Sequence, residues 1–278
     1  MATLKIALGQ ILVEGGEPQR NFERANKMIK QAKESNCDIL VLPETIDFAW
    51  THPSSLKESQ TIPGAYSDLF CNWAKEHQIY ICVGLTEKRN EKNYNTALLI
   101  NDQGEIILKH SKINLLTVEF PFYEVGDQIK VVDTPLGKIG LNICADNYKE
   151  STHIAKSLAS MGAEIILSPS SWTVDHHVTE EDDPYRDKWL SPMHHVAHYF
   201  NTTIVSVTSV GYIVGGPYEG KKMVGCSLVV GPEGLIKQGL FNEFAGEFSS
   251  VELQIKTQEE KGVEIGQSLK KKGYNFEW

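Results

Sequence analysis

The sequence predicts an α/β protein built as a four-layer α-β-β-α sandwich, two mixed β-sheets packed face to face with helices outside. Three observations carry this. Short apolar runs of the buried-strand type, such as Ile39-Leu40-Val41-Leu42, alternate with amphipathic helical stretches, the signature of β-α units. Hairpins with turns ending in Gly interrupt them and require antiparallel pairing. Finally, 278 residues at 41% hydrophobic content supply a substantial core, and no linker or composition shift cuts the chain. A single domain over 1–278 is expected, with its core at about 4–253 and a polar tail over 254–278.

In order, Leu4–Leu8 reads as a strand. Arg20–Lys33 reads as a helix, because Phe22, Ala25, Met28, Ile29 and Ala32 recur at helical spacing. Ile39–Leu42 is a buried strand, Ala65–Glu76 a helix and Ile79–Leu85 a strand. Three hairpins follow from their turns: Ala97–Ile100 with Ile106–Lys109 around Asn101-Asp102-Gln103-Gly104; Val131–Asp133 with Lys138–Ile143 around Thr134-Pro135-Leu136-Gly137; and Ser227–Val230 with Leu235–Lys237 around Gly231-Pro232-Glu233-Gly234. Between the last two hairpins, helices at about Glu150–Met161 and Tyr185–Phe200 each lead into a strand, Glu164–Leu167 and Thr203–Val207. The acidic, irregular stretch Val174–Asp183 reads as a surface loop or lid.

A net charge of -9 and a pI near 5.5 argue against a nucleic-acid or anionic-membrane surface, which would need a basic stripe. No apolar run approaches a membrane span, and the first residues enter a strand with no signal-peptide pattern. Cys37, Cys71, Cys82, Cys144 and Cys226 are odd in number, scattered and without a CxxC pair. They read as free thiols in a reducing compartment, so the cytoplasm is the expected location.

Three residues have contexts that packing alone does not explain. Glu44 follows four apolar residues and Pro43, which sets a carboxylate at the C-terminal edge of a sheet, where α/β proteins bind ligands. Partial burial there would raise its pKa toward general-base work. Cys144 ends Gly140-Leu141-Asn142-Ile143-Cys144 and is followed at once by the polar run Ala145-Asp146-Asn147. A thiol at a strand mouth before a tight turn is presented outward, with the next N–H free to face an oxyanion, as in a nucleophile elbow. Most lone cysteines are small buried hydrophobes, and the other four take that reading. Lys112, after the strand Glu105–His110, gains meaning only from this company. A base, a cation and a thiol together can run acyl transfer through a thioester.

Leu42-Pro43-Glu44, His110-Ser111-Lys112-Ile113 and Ile143-Cys144-Ala145-Asp146 match, in order and spacing, the pattern of the nitrilase superfamily, the carbon–nitrogen hydrolases, which the chain resembles over about residues 4–253. Glu119, with Phe122 and Gly126-Asp127 after it, matches a second family glutamate. Ser168-Pro169-Ser170-Ser171-Trp172 matches the segment lining the family pocket. The chain departs from the pattern at Asn147-Tyr148-Lys149-Glu150, where an Arg and a Pro-Glu are common, at Phe200 before Asn201, where a Glu is usual, and at Ser209, where an Asn is usual.

The resemblance implies a Glu-Lys-Cys triad: Glu44 as base and acid, Cys144 as nucleophile, and Lys112 with the Ala145 N–H as oxyanion donors. It gives Glu119 a positioning role and requires neither metal nor cofactor. Ala145-Asp146 after the cysteine is more similar to the amidase and carbamoyl-amidase branches than to nitrile-cleaving ones. Tyr123, Asp146, Tyr148, Ser170 and Trp172 are the expected substrate-binding residues. The expected activity is hydrolysis of a non-peptide C–N bond in a small amide, by a homodimer or higher homo-oligomer. The alternative is an N-carbamoyl amine or amino-acid amidohydrolase, for which Arg186 is a candidate carboxylate clamp. Two rivals lie outside this class. A metal hydrolase could use His176, His177, His194, His195 and His198, but His194-His195-Val196-Ala197-His198 lacks the glutamate of an H-E-x-x-H site. A binding protein would need a lesion in the catalytic set, and there is none.

Overall fold

The computed structural model describes residues 2–255 and 271–273. The first half of the chain runs through β1 (Ala2–Gln10), α1 (Pro18–Glu34), β2 (Ile39–Val41), the single turn α2 (Ser55–Glu58), α3 (Ala65–His77), β3 (Tyr80–Arg89), β4 (Lys92–Ile100) and β5 (Ile106–Ser111). The second half runs through β6 (Val131–Thr134), β7 (Gly137–Leu141), α4 (Thr152–Ser160), β8 (Ile165–Ser170), β9 (Thr173–Val174), α5 (Ser191–Phe200), β10 (Thr203–Thr208), β11 (Val210–Tyr212), β12 (Lys222–Val224), β13 (Leu228–Gly231), β14 (Gly234–Gln238) and β15 (Glu247–Ile255).

Two six-stranded sheets form, ordered β15-β1-β2-β3-β4-β5 and β14-β13-β10-β8-β7-β6. Each has three parallel strands at its centre and antiparallel strands on both sides. The β-α units supply the parallel centres and the hairpins supply the flanks, as the turn chemistry requires. Alternation along the strands sorts the layers. Leu4, Ile6, Leu8, Ile39 and Val41 join Leu141, Ile165, Leu167 and Val205 in the core between the sheets. Ala7, Leu40, Leu42, Ile81 and Val83 point the other way, onto Phe22, Ala25 and Ile29 of α1 and Phe70 and Ala74 of α3. On the far face, Leu158 of α4 and Met193, Val196 and Ala197 of α5 cover the second sheet. The four layers follow. Truncating the wholly buried Ile6 to Ala would cost about 2–5 kcal/mol.

The structure adds elements that the sequence reading did not place. β15 pairs with β1 over nine residues. β9, β11 and β12 form a small third sheet. The expected helix Tyr185–Phe200 divides into a π-helical turn, Arg186–Leu190, and α5. Residues 175–177 and 179–182 of the acidic stretch are exposed or nearly so, as a surface loop should be. The expected tail lies outside the described residues apart from its first two residues, which close β15, and 271–273. No helix among the described residues is long and apolar enough to cross a membrane.

The C-terminal ends of β2, β5 and β7 carry Glu44, Lys112 and Cys144 to one edge of the sandwich.

Candidate active site

Two glycines let the first sheet set its charges. At Gly84 of β3 an added Cβ would stand 2.4 Å from the Glu44 Cα, and at Gly126 it would stand 1.9 Å from the Ser111 carbonyl oxygen. No side chain fits either place. The Gly84 N–H donates to the Pro43 carbonyl at 3.1 Å, the Gly126 N–H to the Lys112 carbonyl at 2.8 Å, and the Lys112 N–H to the Asn95 carbonyl at 2.8 Å. Beyond Glu44, the Asp47 carboxylate accepts the N–H groups of Phe48 at 3.0 Å and Thr86 at 2.8 Å and so fixes the turn. Burial pushes the Asp47 carboxyl up to about 6 against these bonds.

Cys144 opens a 3-10 turn, Cys144–Asn147, with φ at +43°. A non-glycine residue there is strained and needs outside support. Asn142 and Asn147 flank it in a reciprocal amide pair at 2.6 and 3.1 Å, and the Asn147 Nδ2 also donates to the Ser168 hydroxyl at 2.9 Å. The thiol lies 3.6 Å from the Ser171 carbonyl, and the Glu44 charge acts on it.

Glu44, Lys112 and Glu119 are each 0% exposed. The Lys112 ammonium donates to Glu119 Oε1 at 2.9 Å and to Glu44 Oε2 at 3.4 Å. Glu44 Oε2 also accepts from the Asn95 side chain at 2.6 Å, whereas Glu44 Oε1 is buried and has no partner. Both Glu119 oxygens are used: Oε1 by the Trp50 indole at 2.7 Å as well as Lys112, Oε2 by the Leu116 N–H at 2.8 Å. Burial raises the Glu44 pKa, the Lys112 charge pulls it down and Glu119 pushes it up, with a net rise. Burial likewise holds the Cys144 thiol well above its ordinary range, with Glu44 adding to the effect. Burial works against the Lys112 charge, but the two carboxylates outweigh it and keep the ammonium protonated. The resting site thus holds a neutral thiol beside a proton acceptor with one open oxygen and a fixed cation.

Among the expected substrate contacts, two are tied into the scaffold. Every oxygen of Asp146 is committed to the scaffold: Oδ1 to the N–H groups of Ile113 at 3.2 Å and Asn114 at 2.7 Å, Oδ2 to the Ile143 N–H at 2.9 Å and to His110 Nε2 at 2.8 Å. Ser170 bonds Ser206 and the Ser168 carbonyl through its hydroxyl, and its own carbonyl accepts the Glu44 N–H at 3.4 Å. Tyr123 is buried, accepts the Thr51 N–H at 3.3 Å and packs with Trp50, Leu115 and Met223. Trp172 is wholly buried and stacks on Trp189, with ring centroids 4.5 Å apart and planes 10° apart. Tyr148 is half-buried and tilted against Trp189, and burial holds its phenol well above the ordinary range.

Trp50, Asn95 and Trp189 were not picked out by the sequence reading. Each reaches the site through a tertiary contact, and no local motif marks it. Of the candidate metal ligands, His198 Nδ1 bonds the Pro232 carbonyl at 2.9 Å and its ring meets that of His194. Among the described residues no group of three or more His, Cys, Asp or Glu is arranged to hold a metal ion.

The family model for carbon–nitrogen hydrolases matches residues 5–261. The chain belongs to the carbon–nitrogen hydrolase family. Omega-amidase NIT2-B of Xenopus laevis is 30% identical over 184 residues, 63% of this chain and 66% of that protein. A nitrilase of Pyrococcus abyssi is 32% identical over 173 residues, 60% of this chain and 65% of that protein. The chain therefore spans just under two thirds of the length of the curated relatives it matches. Among solved structures, a carbon–nitrogen hydrolase from Helicobacter pylori G27 superposes with a TM-score of 0.80 at 21% identity, over 91% of this chain and 90% of that one. An amidase variant from Nesterenkonia sp. AN1, described with the acetamide moiety of fluoroacetamide added covalently at its active-site cysteine, gives 0.75 at 20% identity over 90% of both chains. These two share the fold of this hydrolase.

Proposed function

We propose that this carbon–nitrogen hydrolase is a cysteine-dependent amidase that cleaves the C–N bond of a small amide through a thioester. One observation carries the reading. A strained cysteine at the mouth of one sheet faces a buried glutamate on the other, which keeps an unpartnered oxygen while its second oxygen is held by Lys112 and Asn95. The omega-amidase names among the relatives support the amide as substrate class.

The Cys144 thiol gives its proton to Glu44 Oε1 as sulfur bonds the amide carbon, and the carbonyl electron pair moves onto oxygen. Lys112 Nζ and the Ala145 N–H stabilise that oxyanion, and each such donor is worth about 3 kcal/mol in the transition state. Glu44 returns the proton to nitrogen, the C–N bond breaks, and ammonia or an amine leaves the thioester. Water then loses a proton to Glu44 as it attacks; the C–S bond breaks and the thiol is reprotonated, giving the carboxylic acid. The raised pKa of Glu44 suits both directions of transfer. Glu119 holds Lys112 in line. Trp172, Tyr148 and Tyr123 serve as apolar walls. The N-carbamoyl alternative is less favoured, because Arg186, its candidate clamp, is exposed and paired with Asp183. In this reading the whole chain forms one hydrolase domain and works in the cytoplasm as a homodimer or higher homo-oligomer, which light scattering on the purified protein tests.

The deciding assay is ammonia release from a panel of primary amides, N-carbamoyl compounds and nitriles, with Cys144→Ala in parallel. Release from amides that vanishes in the variant, with an acyl adduct on Cys144 by mass spectrometry, is the expected result. Amide turnover that survives in Cys144→Ala would overturn the mechanism.

A further inference from the structure

The nucleophile and the oxyanion cation come from different sheets, yet catalysis requires their separation to be fixed. Lys112 follows β5 of the first sheet; Cys144 follows β7 of the second. Apolar side chains set no offset between the sheet edges, and the Glu44 N–H bond to the Ser170 carbonyl across them is long, at 3.4 Å. One buried carboxylate adds three shorter contacts that cross and a fourth that anchors it beside Cys144. Asp146 Oδ1 accepts from Ile113 and Asn114, the two residues directly after Lys112, and Oδ2 accepts from Ile143, directly before Cys144, and from His110, two residues before Lys112. A fifth contact runs back the other way: the Asn114 Nδ2 donates to the Ala145 carbonyl at 2.7 Å. Bonds to an ionised acceptor are short and directional, and both His110 and Asp146 are almost wholly out of solvent.

Resting on the amidase reading above, we infer that Asp146, locked by His110, is a positioning residue that clamps the Lys112 segment to the Cys144 elbow and sets the geometry of thiol and oxyanion donor together. The clamp touches neither substrate nor reacting atoms. It acts by holding the +43° φ of Cys144 against relaxation and by aiming Lys112 at the oxygen that sulfur attack creates. His110 is the adjustable member. Its Nε2 meets Asp146, whereas its buried Nδ1 has no partner, so the ring is held at one end only and serves the carboxylate alone.

The test compares His110→Gln, which keeps an N–H donor for Asp146, with His110→Leu, which fills the space without one, and adds Asp146→Asn. Two quantities are read: kcat and KM on the best amide of the panel, and the rate of iodoacetamide alkylation at Cys144, located by peptide mass spectrometry. A shift of about an ångström in a catalytic group can cost up to about a hundredfold in rate. His110→Leu should therefore lose about tenfold or more in kcat with KM nearly unchanged, and alkylate Cys144 at an altered rate. His110→Gln should recover most of both, and Asp146→Asn, where it folds, should lose more than His110→Leu. Unchanged kcat and alkylation in folded His110→Leu would overturn the clamp, as would equal losses in His110→Leu and His110→Gln. If the wild type hydrolyses no amide but alkylation still follows this pattern, the amidase reading falls and the clamp stands.

Discussion

Two buried carboxylates flank the Lys112 segment, each with a basic partner, and their electrostatics run in opposite directions. Glu44 lies beside Lys112 with one oxygen unpartnered, and its pKa is raised. Asp146 lies beside His110 with both oxygens filled. Burial pushes its pKa up, but the bonds from His110, Asn114 and Ile143 outweigh that, and the result is lowered. Both are wholly buried, so burial does not separate them. Donors and neighbouring charge do: Asp146 has all its hydrogen bonds and stays ionised, whereas Glu44 is left one oxygen short beside a second carboxylate, Glu119, and so keeps an affinity for a proton and can move it.

The sharpest way to break the comparison is at the groups that Glu44 serves. Cys144→Ala should reduce amide turnover by about ten-thousandfold or more, since no other group supplies the nucleophile, with the melting temperature close to that of wild type in a thermal scan. Lys112→Ala should cost about a hundredfold to a thousandfold in kcat. Because Lys112 is 0% exposed between two carboxylates, it should also cost about 3–5 kcal/mol in denaturant unfolding, the penalty of stranded buried charge. A Lys112→Ala protein of wild-type stability would show that the Lys112 ion pairs add nothing to the stability of the fold.

Glu44→Gln sharpens the contrast by dissociating rate from stability. Turnover should fall about a thousandfold, while stability holds or rises. The sign follows from the raised pKa. The stability that Glu44 contributes is complete below its unfolded value, near 4.5, and is lost as pH rises through the higher folded value. The melting temperature of Glu44→Gln relative to wild type should therefore climb from pH 4.5 upward. Asp146→Asn should show the reverse. The contribution of Asp146 is present above about pH 3.8 and lost as pH falls through its lower folded pKa, so the deficit of this variant at pH 7 should shrink as the protein is acidified below 3.8. Parallel pH–melting curves for the two variants would remove the distinction drawn between the two sites. The smallest effect belongs to Trp189→Phe, which keeps a ring against Trp172 but leaves part of the buried indole space empty. It should cost about 1–3 kcal/mol by the same denaturant measurement.

The sequence by itself determined the parts whose causes are local. An apolar run ending in Pro43 places Glu44 at a sheet edge whatever surrounds it, Gly-closed turns dictate hairpins, and a thiol between an apolar strand and a polar turn marks Cys144. These rest on backbone chemistry within a few residues, and the four-layer architecture follows from their order. What only the tertiary structure decided rests on partners far apart in sequence. Asn95 and Trp50 reach the carboxylates across 51 and 69 residues, Trp189 reaches Trp172 from a π-helical turn, and β15 finds β1 at the other end of the chain. The same cause hid the scaffold bonds of Asp146 and Ser170. Their residue types and their place beside the nucleophile fit a substrate contact equally well. Only the positions of His110, Asn114 and Ser206 reveal that their hydrogen-bonding capacity is already spent on the fold.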